Sequence, residues 1–364
     1  MSSSFNRVNL ERLIYSLVSL KKWGTHISFL RYKHTMERTM RVWNQCIPLI
    51  FISLTSLSVN ATAIDILNEY NLIVFGDLDS DSEVEGKAIV MGDINGTTSN
   101  YGIHLPTATG PEDAMIIGGN NNATVNINNG YGAAIGGTNN GIINLNGGGA
   151  LTNNITAYDL VDIQNELTSF SSYLQNLTAN SILTTPLSCC GPASFDVNNS
   201  LGSDVAVFDF QAIDFFGNSF IQQYDVNFNS QTPSAIVMNV GGTTITDTTF
   251  SANAVGNIVN DQTRELIIWN FYEAQTIDLT KQLNGSLLAP LAALTNATPI
   301  EGSVVVDSFI QRGEIHDPTF NGFIEFDSGD DPVVDIPEPS SLAIFGMGML
   351  GFSGWRRRQN KESL

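Results

Sequence analysis

Short apolar segments alternate with glycine- and asparagine-rich corners over residues 72–149. Within residues 124–128 and 142–146, apolar and polar residues alternate with the period of two that is typical of half-buried strands. Residues 115–121 and 133–140 repeat an apolar-Gly-Gly pattern 18 residues apart. Strands that return after one coil length predict a parallel β-solenoid, with Gly and Asn supplying positive φ angles at its corners. A flexible low-complexity tract is the alternative, but the recurring Ile and Val positions favour the solenoid.

One amphipathic helix interrupts the strand-like pattern, and we expect it over residues 156–180. Thr156 is the expected N-cap, and Asp159 and Asp162 fall in the first turns, where the helix dipole favours negative charge. The stripe could mediate coiled-coil pairing, but a single helix between β segments favours packing against the solenoid. The apolar residues recur at spacings of three and four and form one stripe: Leu160, Ile163, Leu167, Phe170, Leu174 and Leu177.

Strand-like segments return after residue 194. They lie at residues 195–197, 205–210, 234–240 and 266–271, with further coils expected at 277–279, 303–306 and 323–326. The predicted fold class is therefore mainly β. We expect a parallel β-solenoid (a β-helix) over residues 64–330, with one long helix packed alongside.

Residues 1–63 combine a leader with a secretory signal peptide. Arg41 precedes an apolar run at residues 46–59, which is followed by Ala61-Thr62-Ala63. A basic residue, an apolar region and an A-x-A site in this order predict export, with cleavage after Ala63. Met40 is a better candidate start than Met1, because a leader of mixed polarity is unusual in a signal peptide.

An acidic linker at residues 331–336 leads to a three-part C-terminal segment, residues 337–364. Pro337-Glu338-Pro339 precede an apolar, transmembrane segment at residues 342–355, and Arg356-Arg357-Arg358 follow it and stay on the cytoplasmic side. This arrangement resembles the PEP-CTERM sorting signal of Gram-negative bacteria, which implies an exosortase-type membrane protease as partner. An ordinary membrane anchor is the alternative, but the segment is short for a stable span of about 20 residues.

The part of the chain between these terminal signals is strongly acidic. Residues 64–355 contain four basic residues against 33 acidic ones, a formal net charge of −29. Such a surface repels the phosphates of nucleic acids and anionic lipid head groups. The charge therefore argues against nucleic acid as a partner. It suits a secreted protein that stays soluble, or one that binds divalent cations.

One acidic cluster has a spacing close to that of calcium ligands. Asp77, Asp79, Asp81 and Glu83 alternate with other residues, similar to the D-x-D-x-D pattern that offers oxygen atoms to Ca²⁺. The glycine and the final glutamate of an EF-hand loop are missing, however. A solvated loop without Ca²⁺ is therefore the alternative.

The sequence offers little catalytic chemistry. It contains no G-x-S-x-G, H-E-x-x-H or P-loop motif. His104 and His316 are the two histidines between the terminal signals. A metal site would need acidic partners, and Glu314 and Asp317 beside His316 are the only such neighbourhood, but we expect a structural histidine there. Two carboxylates suffice for glycoside hydrolysis, but the pattern singles out no pair. We therefore predict a non-enzymatic protein that needs no cofactor.

A second resemblance spans residues 70–325. The motifs that carry it are Val74-Phe75-Gly76-Asp77, Val84-Glu85-Gly86, Trp269-Asn270-Phe271, residues 285–290, Glu301-Gly302, residues 313–316 and Phe320-Asn321-Gly322. In this order they resemble the choice-of-anchor A family, although Leu291 departs from its pattern. The resemblance implies a secreted, adhesin-like bacterial surface protein whose solenoid is similar to ice-binding and adhesive β-helices.

These features predict an exported protein that acts at the cell surface or in the biofilm matrix of a Gram-negative bacterium. We expect a long rigid face of Thr and Asn side chains to bind a repeating ligand such as exopolysaccharide, a surface glycan or ice. An exopolysaccharide-processing enzyme and a purely structural matrix component are the alternatives. A flat exposed ladder would favour binding, whereas a cleft with two carboxylates about 5–10 Å apart would favour the enzyme.

Overall fold

The computed structural model describes residues 62–156, 158–198 and 204–326. The predicted leader, the start at Met40, Ala61 and the C-terminal segment 331–364 lie outside the described residues. Within the described ranges, no helix is both long enough and apolar enough to cross a membrane. The predicted apolar segment at residues 342–355 is outside those ranges.

The described ranges contain four α-helices, one 3-10 helix and 25 strands. The helices are α1 Ala63–Glu69, α2 Leu160–Gln175, α3 Ala212–Phe215 and α4 Asp261–Arg264, with the 3-10 helix at Gly256–Val259. The strands are β1 Tyr70–Val74, β2 Leu78–Ser80, β3 Glu83–Val84, β4 Lys87–Val90, β5 Ile94–Gly96, β6 Thr98–Tyr101, β7 Asp113–Ile117, β8 Thr124–Ile127, β9 Gly132–Ile135, β10 Ile142–Leu145, β11 Leu151–Thr152, β12 Ile182–Thr184, β13 Gly191–Asp196, β14 Val205–Gln211, β15 Ile221–Asn227, β16 Ala235–Gly241, β17 Thr244–Thr246, β18 Asn253–Ala254, β19 Ile267–Asn270, β20 Thr276–Leu279, β21 Leu283–Asn284, β22 Ser286–Asn296, β23 Ile300–Glu301, β24 Val304–Gln311 and β25 Ile315–His316.

The strands form the predicted parallel β-solenoid, but the chain does not run through it from end to end. The longest sheet has the order β11-β9-β7-β4-β1-β24-β22-β19-β16-β14. The chain therefore starts in the middle at β1 and winds outward to β11. It resumes at β14, at the far end, and winds back to the middle. There β24 pairs with β1, Val304 opposite Leu72 and Val306 opposite Val74. We call this pairing the seam.

The coils build three faces. The first face is the long sheet. The second face contains β2, β5, β17, β20 and the later parts of β22 and β24, and bridges at Asn121 and Asn139 continue it. The third face has the order β10-β8-β6-β3-β25-β23-β21, and the sheet β12-β13-β15-β18 takes its place in the later coils. Among the described strands, β12 and β13 pair antiparallel and the other pairings are parallel.

Most of the first face is buried on both sides, although β11 and the end of β14 carry exposed side chains. Its inward side chains, such as Leu72 and Val90, lie in the interior core of the solenoid. Its outward side chains, such as Ile73 and Ile116, lie in a second apolar cluster with residues of α1, α2 and the segment 320–326. Because these elements cover the middle of the first face, a ligand that lies along the whole solenoid meets the second or the third face.

The predicted helix forms, but it is shorter than expected. It covers Leu160–Gln175 rather than residues 156–180. Asp159 is its N-cap, because its carboxylate accepts a hydrogen bond from the Asp162 N–H, whereas Thr156 bonds within the preceding turn. Packing against the solenoid is confirmed over coiled-coil pairing, since the middle of the stripe is fully buried: Leu167, Phe170 and Leu174.

The last described residues do not add the strand expected at 323–326. Residues 321–326 have no regular secondary structure and lie across α2. The Phe326 ring is 5.1 Å from the ring centroids of both Phe170 and Tyr173, and Ile324 is buried. This segment therefore helps to close the apolar cluster outside the first face.

The Gly-Gly repeats have a different cause from the one the sequence suggested. Positive φ angles occur elsewhere, for example at Asn129 and Gly130, while Gly118 and Gly136 avoid that region. A Cβ at Gly118 would collide with the Met91 backbone, and one at Gly136 would lie 2.7 Å from the Gly118 carbonyl oxygen. These glycines are needed because successive coils approach closely at the corner between the first and second faces.

We predict that Gly118→Ala lowers the free energy of unfolding by about 2 kcal/mol, because backbone atoms of the neighbouring coil cannot move away from the new methyl group. Gly110→Ala is the matched control, since no atom lies within 4 Å of the place that its new methyl group would occupy and its φ is unstrained. Thermal and chemical denaturation of both variants measures the difference. Equal stability of the two would show that coil spacing at this corner is not tight.

We predict that the exported protein begins at Thr62 rather than at Ile64. Thr62 caps α1 through a reciprocal capping box with Asp65, and the Ala63 N–H donates to the Glu166 carboxylate at 3.0 Å. Cleavage after Ala63 would remove both interactions, whereas cleavage after Ala61 would retain them. N-terminal sequencing of the secreted protein distinguishes the two positions, and a mature chain starting at Ile64 would contradict the prediction.

Candidate functional site

The second face presents two parallel columns of outward side chains, which we call the polar array. The first column is Thr244, Thr276, Ala293, Ser308, Asp77, Asp93, Asn120 and Thr138, and the second is Thr246, Asp278, Thr295, Ile310, Asp79, Asn95, Asn122 and Asn140. Each of these side chains is exposed or half-buried. Each row pairs one member of each column, so the array has eight rows.

The register of the strands fixes this arrangement. Thr244 lies opposite Thr276, and Thr276 lies opposite Ala293. The residue between the two columns points into the core and is buried in every row except the last, where it is Asn139. Neighbouring rows of a parallel sheet are about 4.8 Å apart, and alternate residues along a strand are about 6.6 Å apart. The array is therefore a regular grid of polar groups on a rigid backing.

Side-chain amides connect the rows in the first half of the chain. Asn140 Nδ2 donates to Asn122 Oδ1 at 3.0 Å, and Asn122 Nδ2 donates to Asn95 Oδ1 at 3.0 Å. In the other column, the Asp93 carboxylate accepts from the Asn120 N–H at 2.7 Å, and Asn120 Oδ1 accepts from the Thr138 N–H at 2.8 Å. These bonds hold the polar groups of this half in fixed positions.

The rows from the second half of the chain carry mainly hydroxyl and methyl groups, with Asp278 as the one carboxylate among them. Thr244, Thr246 and Thr276 are exposed at one end of the grid, and Ile310 is 47% exposed near its centre. The hydroxyl groups can donate and accept hydrogen bonds, while the methyl groups keep the surface flat and partly apolar. The array thus combines an amide half with a hydroxyl half.

The third face carries a second asparagine ladder. Asn144 Nδ2 donates to Asn126 Oδ1 at 2.8 Å, and Asn146 Nδ2 donates to Asn128 Oδ1 at 3.1 Å. Asn100 Nδ2 donates to the Glu83 carboxylate at 3.0 Å. This ladder spans fewer coils than the polar array.

The four predicted calcium ligands lie in a row along the first coil, and Arg312 contacts both Asp79 and Asp81. Asp77 accepts from the Asp93 N–H at 2.8 Å, and Asp79 pairs with Arg312 at 2.9 Å. Asp81 accepts from the N–H and hydroxyl of Thr97, which lowers its pKa, and Glu83 accepts from Asn100. The carboxylates do not converge on one point, and Ca²⁺ binding there stays a prediction.

A different group of metal-ligating side chains does converge. Ligand atoms of Glu85, His104 and Asp317 all lie within 4.8 Å of one another. Burial and the charge of Glu85 raise the pKa of the Asp317 carboxyl. The sequence does not reveal this group, because its members come from distant segments. The one indication in the sequence was that Asp317 directly follows His316, one of the two histidines of the described chain.

His316 lies beside this group but has other partners. Its Nδ1 is 3.2 Å from Glu301 Oε1 and its Nε2 is 2.6 Å from Glu314 Oε2. Burial lowers the pKa of His316, but the hydrogen bond to Glu314 and the charges of Glu301 and Glu85 raise it by more. Arg264 pairs with Glu301 at 3.0 Å. His316 therefore lies in a network of ion pairs with Glu301 and Glu314, and its structural role stays a prediction.

One groove of about 760 Å³ runs between α2 and the bend of β22. It is lined by Gln164, Asn165, Thr168, Ser169, Pro290, Leu291 and Asp307. Asp307 is the one carboxylate in this lining. The groove does not supply the pair of carboxylates that glycoside hydrolysis needs.

The parallel strands, the three faces and the covering helix define the class of parallel β-solenoid proteins. Residues 63–317 match the family model described as "Putative Ice-binding-like adhesive domain". This match covers well over half of the chain, and the protein belongs to that family. Residues 335–358 match the PEP-CTERM protein-sorting motif. No curated protein and no solved structure matches the chain.

The two matches confirm the predicted adhesin-like β-solenoid and the predicted PEP-CTERM sorting signal. The protein is an exported surface protein with an adhesive-type solenoid and a sorting signal of the kind that exosortase recognises. The family suggests a non-enzymatic role. The resemblance to choice-of-anchor A proteins stays a prediction, as do the signal peptide and the biofilm setting.

Proposed function

We propose that the protein is an adhesin that binds a long, periodic, polar ligand through the polar array, and that this ligand is a matrix polysaccharide. The register of the two columns over eight rows supports the proposal most directly. A ligand with its own repeat can contact many rows at once. The polar array corresponds to the exposed ladder of side chains that favours a binding protein over an enzyme.

The rigidity of the array favours binding. Its backbone is held by parallel pairing, and the buried residues between its columns anchor it to the core. In the amide half, side chains are already fixed by hydrogen bonds to the neighbouring coil. Little conformational entropy is therefore lost when a ligand binds, and more of the interaction energy appears as affinity.

The chemistry of the array indicates a neutral ligand. The outward columns contain no aromatic ring on which a sugar could stack, so recognition rests on hydroxyl and amide groups. Asp77, Asp79, Asp93 and Asp278 lie in the grid, and the part of the chain between the terminal signals is strongly acidic. Polyanionic polysaccharides would be repelled, whereas neutral ones would not.

We predict that Thr276→Lys lowers retention on the producing organism's neutral matrix polysaccharide at least about tenfold, since a long charged side chain rises above the plane and removes one hydroxyl row. Thr98→Lys is the matched control, because it makes the same change at an exposed strand position of the third face. Binding is measured by retention of the purified exported protein on the immobilised polysaccharide. Equal retention of both variants, or release of sugar from the matrix, would overturn the proposal, the latter in favour of an exopolysaccharide-processing enzyme.

Ice is a second candidate ligand, supported by the family match and by the exposed threonines of the hydroxyl half. Ordered water can bond to a regular grid of hydroxyl groups without stacking. Freezing-point and crystal-shape measurements on the same two lysine variants separate this ligand from polysaccharide. An effect on ice that Thr276→Lys abolishes, together with no retention on polysaccharide, would replace the first candidate by the second.

Exosortase is the proposed processing partner, and Gram-negative bacteria are the proposed setting. We predict that replacing Pro337, Glu338 and Pro339 by alanine leaves an uncut precursor in the inner membrane, because the protease loses its recognition sequence while the apolar segment and Arg356-Arg357-Arg358 remain. Immunoblots of membrane and medium fractions measure this. Normal release of the alanine variant would exclude Pro337-Glu338-Pro339 as the recognised sequence.

A further inference from the structure

Three distant segments of the chain meet at one corner of the solenoid, next to the seam. Glu85 follows β3, His104 lies on the loop after β6, and Asp317 follows β25. Strand β3 pairs with β25 on one side and with β6 on the other. The three side chains therefore leave the same corner from three successive coils. We call them the corner triad.

The backbone holds the corner triad in place. The Asp317 N–H donates to Glu85 Oε2 at 2.7 Å, and the His104 N–H donates to the Glu85 carbonyl at 3.1 Å. His104 Nδ1 lies 3.0 Å from Glu85 Oε2. The Glu85 side chain is 13% exposed and that of His104 is 57% exposed. The triad is thus anchored at its base by Glu85 and open to solvent at its rim.

Negative charge at this corner exceeds the positive charge that the described residues supply. Glu85, Asp317 and the neighbouring Glu301 and Glu314 bring four carboxylates together around two imidazoles. Arg264 also reaches this corner, but its ion pairs are to Glu301 and Asp261. A cation from solution would compensate the carboxylates of the triad.

We propose that Glu85, His104 and Asp317 bind one divalent transition-metal ion, with Zn²⁺ as the preferred ion. One imidazole and two carboxylates are a ligand set that Zn²⁺ accepts, and the open rim leaves room for water as a fourth ligand. Ca²⁺ takes six to eight oxygen ligands and is a poorer match to this set. Ligand atoms within 4.8 Å of one another need only small side-chain rotations to reach Zn²⁺ bond lengths of about 2.0–2.2 Å.

A metal ion here would connect the two halves of the solenoid. Glu85 and His104 belong to the first half of the chain, and Asp317 ends the last coil of the second half. The ion would therefore stabilise the corner beside the seam, at a distance from the polar array. The role of the ion would be structural, and it would not depend on which ligand the polar array binds.

The test is titration of the purified exported protein with ZnCl₂, followed by calorimetry and thermal denaturation. We expect one Zn²⁺ per chain and, at about 100 times the dissociation constant, a rise in melting temperature of roughly 5 °C or more. His104→Ala and Asp317→Asn should each weaken binding at least about tenfold and abolish that rise. Asp317→Asn keeps the N–H that bonds to Glu85, so it tests the carboxylate without removing the backbone contact.

Two control variants and two further measurements make the result specific. His316→Gln removes the other histidine of the described chain, and Glu112→Gln removes an exposed carboxylate of the loop that carries His104; neither should change Zn²⁺ binding. CaCl₂ titration with Asp79→Asn measures the separate calcium prediction. Circular dichroism checks that each variant is folded. Zn²⁺ binding that survives His104→Ala and Asp317→Asn, or the absence of saturable Zn²⁺ binding to the unmodified protein, would overturn the proposal.

Discussion

The parallel pairing of β1 with β24 is the interaction on which the rest of the structure depends. It joins residues near the start of the described chain to residues near its end, with Leu72 opposite Val304. Asn71 is fully buried beside it and donates to the carbonyls of Gly302 and His316, while its Oδ1 accepts from the Gly86 N–H. A fully satisfied buried amide of this kind fixes one register, because any shift would leave its polar groups unpaired.

The polar array exists as one surface only because of the seam. Four of its rows come from the coils that β1 begins, and four come from the coils that β24 ends. The register places Asp79 opposite Ile310, so the amide half and the hydroxyl half share one grid. The coils nearest the seam are therefore the ones whose stability decides whether a long ligand meets eight continuous rows or two separate groups of four.

The sequence predicts the solenoid well where its coils are short and regular. The repeat of 18 residues is visible in β7 to β10 because no loop interrupts those coils, and the hydrogen-bonded pairs Asn122–Asn140 and Asn126–Asn144 have that same separation. In the second half, α3, the 3-10 helix and α4 are inserted into the coils, so the repeat is lost from the sequence although the pairing continues. The chain starts in the middle of the solenoid and winds outward, and this order could not be predicted from the sequence. It follows from the pairing of β1 with β24, whose residues are more than 200 positions apart.

The spacing of the acidic cluster shows how one pattern can have two origins. Asp77, Asp79 and Asp81 alternate with Leu78 and Ser80, which are fully buried. Alternation between core and solvent along a coil produces the same D-x-D-x-D spacing as a calcium-binding loop. The sequence therefore identified exposed carboxylates correctly, but it could not show that each lies in its own position along the coil. The corner triad has the opposite property, since its three residues have no common spacing and meet only through the pairing of β25, β3 and β6.

The regularity of the array has a consequence for the kind of ligand that it can hold. Each row offers one or two exposed hydrogen-bonding groups, and a single hydrogen bond that replaces bonds to water contributes only about 1 kcal/mol. A short ligand that contacts one or two rows would not offset the loss of translational and rotational freedom on binding. A long ligand loses that freedom once and gains a small contribution from every further row, provided that its repeat stays in register with the coils. Affinity in such an array is therefore a property of ligand length and periodicity, which fits a polymer or a crystal surface better than a single sugar.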